Sequence, residues 1–152
     1  MTKRIITRSE AETAAVGREL APTLAAGDVV LLYGDLGAGK TAFVRGLAEG
    51  LGVPPAEVSS PTFTLVQEYR GGRVMLVHVD LYRLNDPREL DDLGLDEIAE
   101  DGVLAIEWAE KLSRPIEEAI EVRFEHAGDD TRHLAINYPI TRFPNFPIHS
   151  DR

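Results

Sequence analysis

One eight-residue segment, residues 34–41, restricts the possible folds of this chain more than any other part of its sequence. The segment reads GDLGAGKT and fits the pattern G-x-x-x-x-G-K-[ST] of a phosphate-binding loop, or P-loop. An apolar run at 28–33 precedes it, and Phe43, Leu47 and Leu51 form an apolar stripe at helical spacing after it. A strand, a glycine loop and an amphipathic helix in this order predict an α/β fold in which the strand is buried on both faces.

The chemistry of this loop favours a nucleoside triphosphate as ligand. Glycine lets the backbone curl, so the N–H groups of Gly37, Ala38 and Gly39 would point inward at the phosphates. The N-terminus of the following helix adds the positive end of its dipole. Lys40 would reach the β- and γ-phosphates, and the Thr41 hydroxyl would bind Mg²⁺. The structural alternative is a plain glycine turn between a strand and a helix.

The remaining sequence alternates between strand and helix patterns. Ser9 offers an N-cap with Glu12 three residues later, which predicts a helix that ends at Gly27. Gly71 and Gly72 stand between two strand-like runs and predict a hairpin with a type I′ turn. The predicted strands lie at 3–7, 28–33, 63–70, 73–80, 103–108, 119–126 and 133–138, with the last two as a closing hairpin and short helices at 86–101.

Two carboxylates end apolar strand patterns. Asp80 follows the apolar run at 74–79, and Glu107 follows the run at 103–106. Both would lie at the carboxyl edge of the sheet, beside the P-loop. Asp80 would hold Mg²⁺ directly, through water or through the Thr41 hydroxyl; alternatively it caps the turn after its strand. Glu107 would ligate Mg²⁺ or orient the attacking water, unless it is a surface side chain.

Other segments allow both a functional and a structural interpretation. Thr62 lies in a Ser/Thr/Pro-rich loop that either closes on a γ-phosphate or is a proline-stiffened connector. Trp108, the only tryptophan, by itself indicates core or rim packing. The four histidines show no metal-binding spacing, and His78 is expected to pack in the sheet. The acidic segment 86–101 is a solvated face or a docking surface for a basic partner.

Length and composition limit the class of protein. The chain of 152 residues suits one domain, which we place at 1–138 with a tail at 139–152. Sixteen basic against 26 acidic residues give a net charge of −10, which weighs against broad nucleic-acid binding. Cysteine is absent, which excludes disulfides and thiolate sites. No apolar run approaches the roughly 20 residues of a membrane span, and residues 1–8 lack a signal core, so we expect a cytoplasmic location.

The class of P-loop protein follows partly by elimination. None of the three asparagines is followed by lysine, so the N-K-x-D motif of guanine-specific GTPases is absent. The L-S-G-G-Q motif of transporter ATPases is absent as well. A small-molecule kinase would need an arginine-bearing lid, for which the chain offers Arg83 and Arg88 in an otherwise acidic segment. ATP is therefore the favoured nucleotide.

Four motifs in a fixed order resemble one known family. They are GDLGAGKT at 34–41, SPTFTLVQEY at 60–69, HVDLYRL at 78–84 and IEW at 106–108. The P-loop alone is generic, but the combination resembles the TsaE (YjeE) family. These proteins are small P-loop ATPases of bacterial tRNA threonylcarbamoyladenosine synthesis.

The resemblance implies a fold and a function. The fold would be a P-loop NTPase-like three-layer sandwich: a parallel-rich central sheet flanked by helices, plus a C-terminal antiparallel hairpin. Such proteins hydrolyse ATP weakly alone and act with the TsaB–TsaD pair, which transfers a threonylcarbamoyl group onto adenosine 37 of ANN-decoding tRNAs. Their ATP cycle supports repeated turnover of that complex. We expect a monomeric chain that meets tRNA only through these partners and has no membrane association.

The resemblance also assigns residues. Lys40, Asp80, Glu107 and Thr62 would be catalytic, and Thr41, Glu107 and Asp80 would hold the metal. Nucleotide contacts would come from Gly37, Ala38, Gly39, Lys40, Thr41, Ala42, Trp108 and, by a looser match, Arg132. Ala42 departs from the family pattern, in which a second threonine is common at this position. The loss of that hydroxyl would remove a contact to the α-phosphate and lower nucleotide affinity.

Two other functions stay open from the sequence. In the first, ATP only switches the shape of residues 59–65 and so controls docking to partners, with slow hydrolysis as a reset. In the second, the chain is a small-molecule kinase of the P-loop class.

Overall fold

A seven-stranded sheet organises the part of the chain that the structure describes. The computed structural model describes residues 1–34, 39–54, 66–82, 94, 97, 100–112 and 116–139. In these ranges the elements are β1 (Thr2–Thr7), α1 (Glu10–Leu20), β2 (Val29–Tyr33), α2 (Lys40–Gly50), β3 (Val66–Tyr69), β4 (Met75–Asp80), β5 (Gly102–Glu107), β6 (Ile120–His126) and β7 (Arg132–Asn137), with one-turn 3₁₀ helices at Ala21–Thr23 and Ala109–Lys111. The strand order is β1-β7-β6-β2-β5-β4-β3.

The centre of the sheet is parallel and its margins are antiparallel. Strand β2 pairs in parallel with β5 and β6, and β4 pairs in parallel with β5. The pairs β1–β7, β6–β7 and β3–β4 are antiparallel. Every residue of β5 is buried, as expected for a parallel strand covered on both faces. The predicted α/β class, the parallel-rich sheet and the C-terminal hairpin are therefore confirmed.

Both described α-helices cover the same face of the sheet. Phe43 and Leu47 of α2 and Leu20 of α1 join one core cluster with Leu32 of β2 and other strand residues of that face. The ring of Phe43 meets that of Phe124 edge-on, with centroids 5.5 Å apart. This geometry is a favourable one for two aromatic side chains. The packing fixes α2, and with it the start of the helix at Lys40, over the carboxyl end of β2.

The helices approach each other closely because glycine occupies the contact. A Cβ atom at Gly46 would lie 1.7 Å from the backbone oxygen of Ala14 in α1.

The opposite face of the sheet carries a second core cluster, in which Leu31 and Leu104 pack with Trp108 and other residues after β5. The short helices predicted at 86–101 lie almost entirely outside the described residues. None of the helices in the described ranges has the length and apolarity that a bilayer span requires.

The N-terminal helix begins as predicted but ends earlier than predicted. The Ser9 hydroxyl accepts from the backbone N–H of Glu12 at 3.1 Å, as predicted. The Glu12 carboxylate, however, accepts from the N–H of Arg8 at 2.8 Å and not from that of Ser9. The α-helix stops at Leu20 and continues only as a 3₁₀ turn that contains Pro22. Proline lacks an N–H to donate, which explains why the predicted helix is too long.

The connection between β3 and β4 is not the predicted type I′ turn. Such a turn needs positive φ at both central residues, but only Gly71, at φ 117°, has it. The last strand pair is Tyr69 with Leu76, so the loop is longer than two residues. Gly72 is needed for close approach instead, because a Cβ there would lie 2.3 Å from the Leu51 carbonyl oxygen. The loop is therefore shaped by its contact with the end of α2.

Candidate active site at the carboxyl edge of the sheet

The start of α2 is built on a glycine that no other residue replaces without strain. Gly39 caps the helix with φ 99° and ψ 11°, in the left-handed region. A Cβ atom at this position would also lie 3.4 Å from the methyl carbon of Thr13. Gly37 and Ala38 lie outside the described residues. The described residues around Gly39 thus place the N-terminus of α2 at the edge of the sheet, where the first N–H groups of a helix have no partner within the helix itself.

Lys40, the first residue of α2, is buried and held by contacts within the protein. Its side chain is only 4% exposed. The ammonium group donates to the carbonyl oxygen of Gly34 and lies 3.6 Å from the ring centroid of Trp108. The N–H of Gly34 donates to the Glu110 carboxylate at 2.8 Å. The Gly34 carbonyl oxygen and the Trp108 ring therefore hold the cation, and Glu110 in turn holds the Gly34 backbone.

The two predicted carboxylates end adjacent strands. Asp80 of β4 is the register partner of Glu107 of β5, and Glu107 is also the partner of Leu32 of β2. Side chains alternate along a strand, so Asp80 and Glu107 project from the same face as Leu76 and Ala105, which pack beneath the helices. The structure therefore brings both carboxylates to the edge where α2 begins.

Glu107 is buried and connects three elements. It is 3% exposed, which rules out the surface interpretation. Its Oε2 atom lies 2.5 Å from Nε2 of His78 in β4. The same oxygen accepts from the Thr41 hydroxyl of α2 at 3.5 Å, a long contact. Glu107 thus joins the N-terminus of α2 to two strands of the sheet.

Asp80 is half-buried and has a partly structural role. Its Oδ1 atom accepts from the backbone N–H of Tyr82 at 3.0 Å, which is the turn-capping interaction considered from the sequence. Burial raises the pKa of Asp80, and the nearby charge of Glu107 raises it further. The hydrogen bond from Tyr82 and the charges of His78 and Lys40 oppose this rise in the pKa.

Trp108 adopts a strained backbone conformation next to Lys40. Its φ of 59° and ψ of 43° lie in the left-handed region, which is rare for a large side chain. Its ring also packs against the exposed ring of Tyr82, with centroids 5.2 Å apart. The sequence indicates only core or rim packing for Trp108. The structure adds a second role, because the ring also contacts the Lys40 ammonium.

The other predicted residues lie at different distances from this edge. Arg132 begins β7, and its Cγ atom lies 3.8 Å from the position that a Cβ on Gly39 would occupy. One guanidinium nitrogen donates to the backbone oxygens of Asp129 and Thr131, each at 3.0 Å. Ala42 is buried inside α2. Thr62 lies outside the described residues.

Comparison with known proteins agrees with this architecture. The family model described as "Threonylcarbamoyl adenosine biosynthesis protein TsaE" matches residues 7–134. The chain belongs to the TsaE family. The match covers strands β2 to β6, both described α-helices and the whole candidate site. It includes only the last residue of β1 and the first half of β7.

Individual TsaE proteins are similar over most of their length. The protein of Bacillus subtilis (strain 168) is 45% identical over 125 residues, which are 81% of this chain and 77% of the relative. The protein of Streptomyces coelicolor is 44% identical over 129 residues, 80% of this chain and 86% of the relative. Both are named tRNA threonylcarbamoyladenosine biosynthesis protein TsaE. The crystal structure of Bacillus subtilis YdiB superposes with a TM-score of 0.72 at 35% identity, covering 95% of this chain and 90% of that one.

Sequence reasoning missed two contacts of this TsaE site. His78 is expected from the sequence only to pack in the sheet, yet it is bonded to Glu107. Glu110 has no signal in the sequence, and its contact with Gly34 spans 76 positions. The sequence does contain a signal for His78. This residue stands two positions before Asp80 on a strand, and residues two apart lie on the same face, so His78 faces the same side of the sheet as Asp80.

The donor set suits a magnesium nucleotide. In the described ranges no group of three or more His, Cys, Asp or Glu side chains would hold a metal ion by itself. Mg²⁺ does not need such a cage, because it usually takes one or two carboxylates together with phosphate oxygens and water. The Thr41 hydroxyl, Asp80 and Glu107 match that requirement. Gly39 and Lys40 provide the backbone and the cation that suit a phosphate group.

The raised pKa of Asp80 leads to a prediction about stability. A carboxyl whose pKa is higher in the folded than in the unfolded chain favours folding at low pH, and this contribution is lost as the pH rises through the folded pKa. Asp80→Asn removes the half-buried charge and keeps an oxygen for the Tyr82 N–H. We therefore expect a higher melting temperature for the variant than for the parent at pH 7 to 8, in chelator and without nucleotide.

The comparison is made as a pH series of thermal unfolding curves. The advantage of Asp80→Asn should shrink as the pH falls and the parent's Asp80 becomes protonated. Asp130→Asn, in an exposed turn, is the control and should leave the melting temperature unchanged at every pH. A variant at Asp80 that melts below the parent at pH 8 would show that the ionised carboxylate stabilises the fold.

Proposed function

We propose that this chain is the ATPase subunit that supports threonylcarbamoyladenosine modification of tRNA at adenosine 37, working with the TsaB–TsaD pair. One observation carries the proposal. The buried carboxylate of Glu107 lies within 3.5 Å of the Thr41 hydroxyl, which joins the strand edge to the start of the P-loop helix. Membership of the TsaE family supplies the biological process, since its members are named for it.

The proposed reaction is in-line attack of water on the γ-phosphate of ATP. Lys40 would neutralise charge on the β- and γ-phosphates, while N–H groups at the start of α2 bind their oxygens. Bound Mg²⁺ would add further neutralisation of the phosphate charge. Thr41, Asp80 and Glu107 would hold the metal and orient the water. Most of the catalysis would come from positioning and from charge neutralisation, as is general for phosphoryl transfer.

The partners follow from the same proposal. With a net charge of −10, the chain has little of the clustered positive charge that tRNA binding requires. We therefore place tRNA on the TsaB–TsaD pair, and this chain, a monomer when isolated, as their ATP-dependent subunit in the cytoplasm. Thr62 would belong to the loop that responds to the γ-phosphate.

The proposal predicts a partner-dependent ATPase. Phosphate release from ATP and Mg²⁺ should be slow for the isolated chain and severalfold faster with TsaB and TsaD, because docking completes the site. Multiple rounds of tRNA modification should require ATP. Phosphate release and threonylcarbamoyladenosine formation are measured in the same reaction, with ATP or a non-hydrolysable analogue.

The other functions give different outcomes in this assay. If the analogue supports many rounds of modification, the chain is a nucleotide-dependent binding module and hydrolysis is incidental. If ATP is consumed only after a metabolite is added, the chain is a small-molecule kinase. Repeated rounds of tRNA modification without any ATP would contradict the proposal.

A further inference from the structure

A histidine in the middle of β4 is buried at a position where neighbouring strand residues are apolar. His78 is completely buried, between Val77 and Val79, which are also completely buried. An imidazole carries two polar nitrogens, and their burial costs free energy unless both find hydrogen-bond partners. Nδ1 of His78 has no such partner in the part of the chain that the structure describes. An apolar side chain would suit the packing better, so packing does not account for this histidine.

The other nitrogen of His78 contacts a residue of the candidate site. Nε2 lies 2.5 Å from Oε2 of Glu107 on the adjacent parallel strand. His78 is the register partner of Ala105, so Glu107 stands two residues further along β5 and on the same face. We assign the proton to Nε2, since a carboxylate oxygen is the acceptor in its usual ionised form. The contact is therefore a hydrogen bond donated by His78 to Glu107.

This bond selects one orientation of the carboxylate. The last torsion angle of a glutamate side chain is broad, so packing alone leaves its two oxygens poorly defined. A donor fixed by the backbone of β4 holds Oε2. The buried Tyr69 ring lies beside that of His78, with 6.5 Å between their centroids. The same Oε2 atom faces the Thr41 hydroxyl, so its position matters to the start of α2.

We propose that His78 is a positioning residue: its Nε2–H holds the Glu107 carboxylate in the orientation that ATP hydrolysis uses. The inference rests on the proposed function and adds a residue to it. His78 is fully buried two positions before Asp80, and it acts through Glu107 and not on the nucleotide. Partners of this kind, behind a functional side chain, typically contribute 10–100-fold to activity.

Two variants of His78 separate hydrogen bonding from packing. His78→Leu removes the donor and keeps an apolar side chain of similar size. His78→Gln keeps an N–H near the position of Nε2. We expect kcat for ATP in the presence of TsaB and TsaD to fall about 10–100-fold in His78→Leu, with the Kd for the nucleotide within about threefold of the parent. His78→Gln should recover most of the lost kcat.

A double-mutant cycle asks whether His78 acts through Glu107. In a Glu107→Gln background, His78→Leu should have no further effect on kcat, because the oriented carboxylate is already gone. A further fall of the same size in that background would overturn the inference. So would a His78→Leu variant with parental kcat, or one whose Kd weakens as much as its kcat falls.

A spectroscopic measurement tests the bond in the nucleotide-free chain, independently of activity. Nitrogen-15 NMR should show His78 as the Nε2–H tautomer, with a ring proton in slow exchange with water because the ring is buried. That proton should shift in Glu107→Gln and stay unchanged in the control His133→Gln, which alters an exposed histidine of β7. A protonated Nδ1 with a bare Nε2 would overturn the inference. If the parent chain itself fails to hydrolyse ATP with its partners, the proposed function fails, and the NMR result still decides the bond.

Discussion

Lys40→Ala is expected to abolish phosphate-dependent nucleotide binding. Under the proposed function the lysine would donate charge-assisted hydrogen bonds to phosphate, each worth about 1.5–3 kcal/mol. Loss of two such bonds corresponds to a fall in affinity of about 100-fold or more. Removal of the ammonium also leaves the Gly34 carbonyl oxygen without this donor and the Trp108 ring without its cation, so we expect the melting temperature to fall as well. The Kd for ATP is measured by calorimetry, and the melting temperature is measured without nucleotide.

The chain offers a matched control for this variant. Lys111 lies at the same edge, donates to the Tyr82 carbonyl oxygen and lies 5.8 Å from the Tyr82 ring centroid. Its surroundings resemble those of Lys40, but it belongs to the 3₁₀ turn after β5 and not to the P-loop. Lys111→Ala should keep the Kd within about twofold, because its charge lies outside the phosphate site. Wild-type-like ATP turnover in Lys40→Ala would refute the assignment of the P-loop.

The local patterns in the sequence predict the centre of this fold well. The apolar run at 28–33 becomes β2, and the amphipathic stripe after the P-loop becomes α2. Both patterns reflect burial, which depends on each residue's own polarity and on the period of the element. The order of the strands in the sheet cannot be predicted in this way. The pairing of β1 with β7 at one edge, for example, joins the two ends of the described chain. Nothing in the local pattern of either strand specifies that partner.

The errors in prediction occur where a tertiary contact overrides a local preference. Gly71 and Gly72 favour a tight turn in isolation, but the Arg73 N–H donates to the Leu51 carbonyl oxygen at 2.8 Å. The Arg73 guanidinium also donates to the backbone oxygens of Ala21 and Leu24. These bonds hold the loop against the ends of both helices. Propensity is a weak preference, and such contacts routinely exceed it.

The candidate site also has a part that local sequence patterns predict and a part that depends on tertiary contacts. Asp80 and Glu107 could be predicted as site residues because each ends an apolar run. The carboxyl ends of parallel strands lie at one edge of the sheet, as those of β4 and β5 do here. The bond between His78 and Glu107 depends on the register of β4 against β5, which the sequence does not reveal. The same is true of the rotation of Trp108 into the left-handed region, which a tryptophan alone would avoid.

Glu107 tests the catalytic part of the proposal most directly. Glu107→Gln keeps the shape of the side chain and an oxygen that accepts from His78, but it removes the negative charge that would orient water and metal. Positioned acid–base groups typically contribute 10²–10⁴-fold to rate. We therefore expect kcat to fall by about 10²–10³-fold, while the Kd for ATP changes by no more than about fivefold. Single-turnover hydrolysis with TsaB and TsaD gives the rate, and calorimetry gives the Kd.

The alanine variant at the same position adds a structural cost that the glutamine variant avoids. Glu107→Ala leaves both nitrogens of His78 without a partner among the described residues, and a buried unsatisfied group costs about 1–3 kcal/mol of stability. A lower melting temperature of Glu107→Ala, with that of Glu107→Gln close to the parent, would separate the two effects. Glu125→Gln, an exposed glutamate on β6, should change neither rate nor stability. Equal losses of hydrolysis and binding in Glu107→Gln would mean that the carboxylate holds the ground state as strongly as the transition state, and its catalytic role would then be wrong.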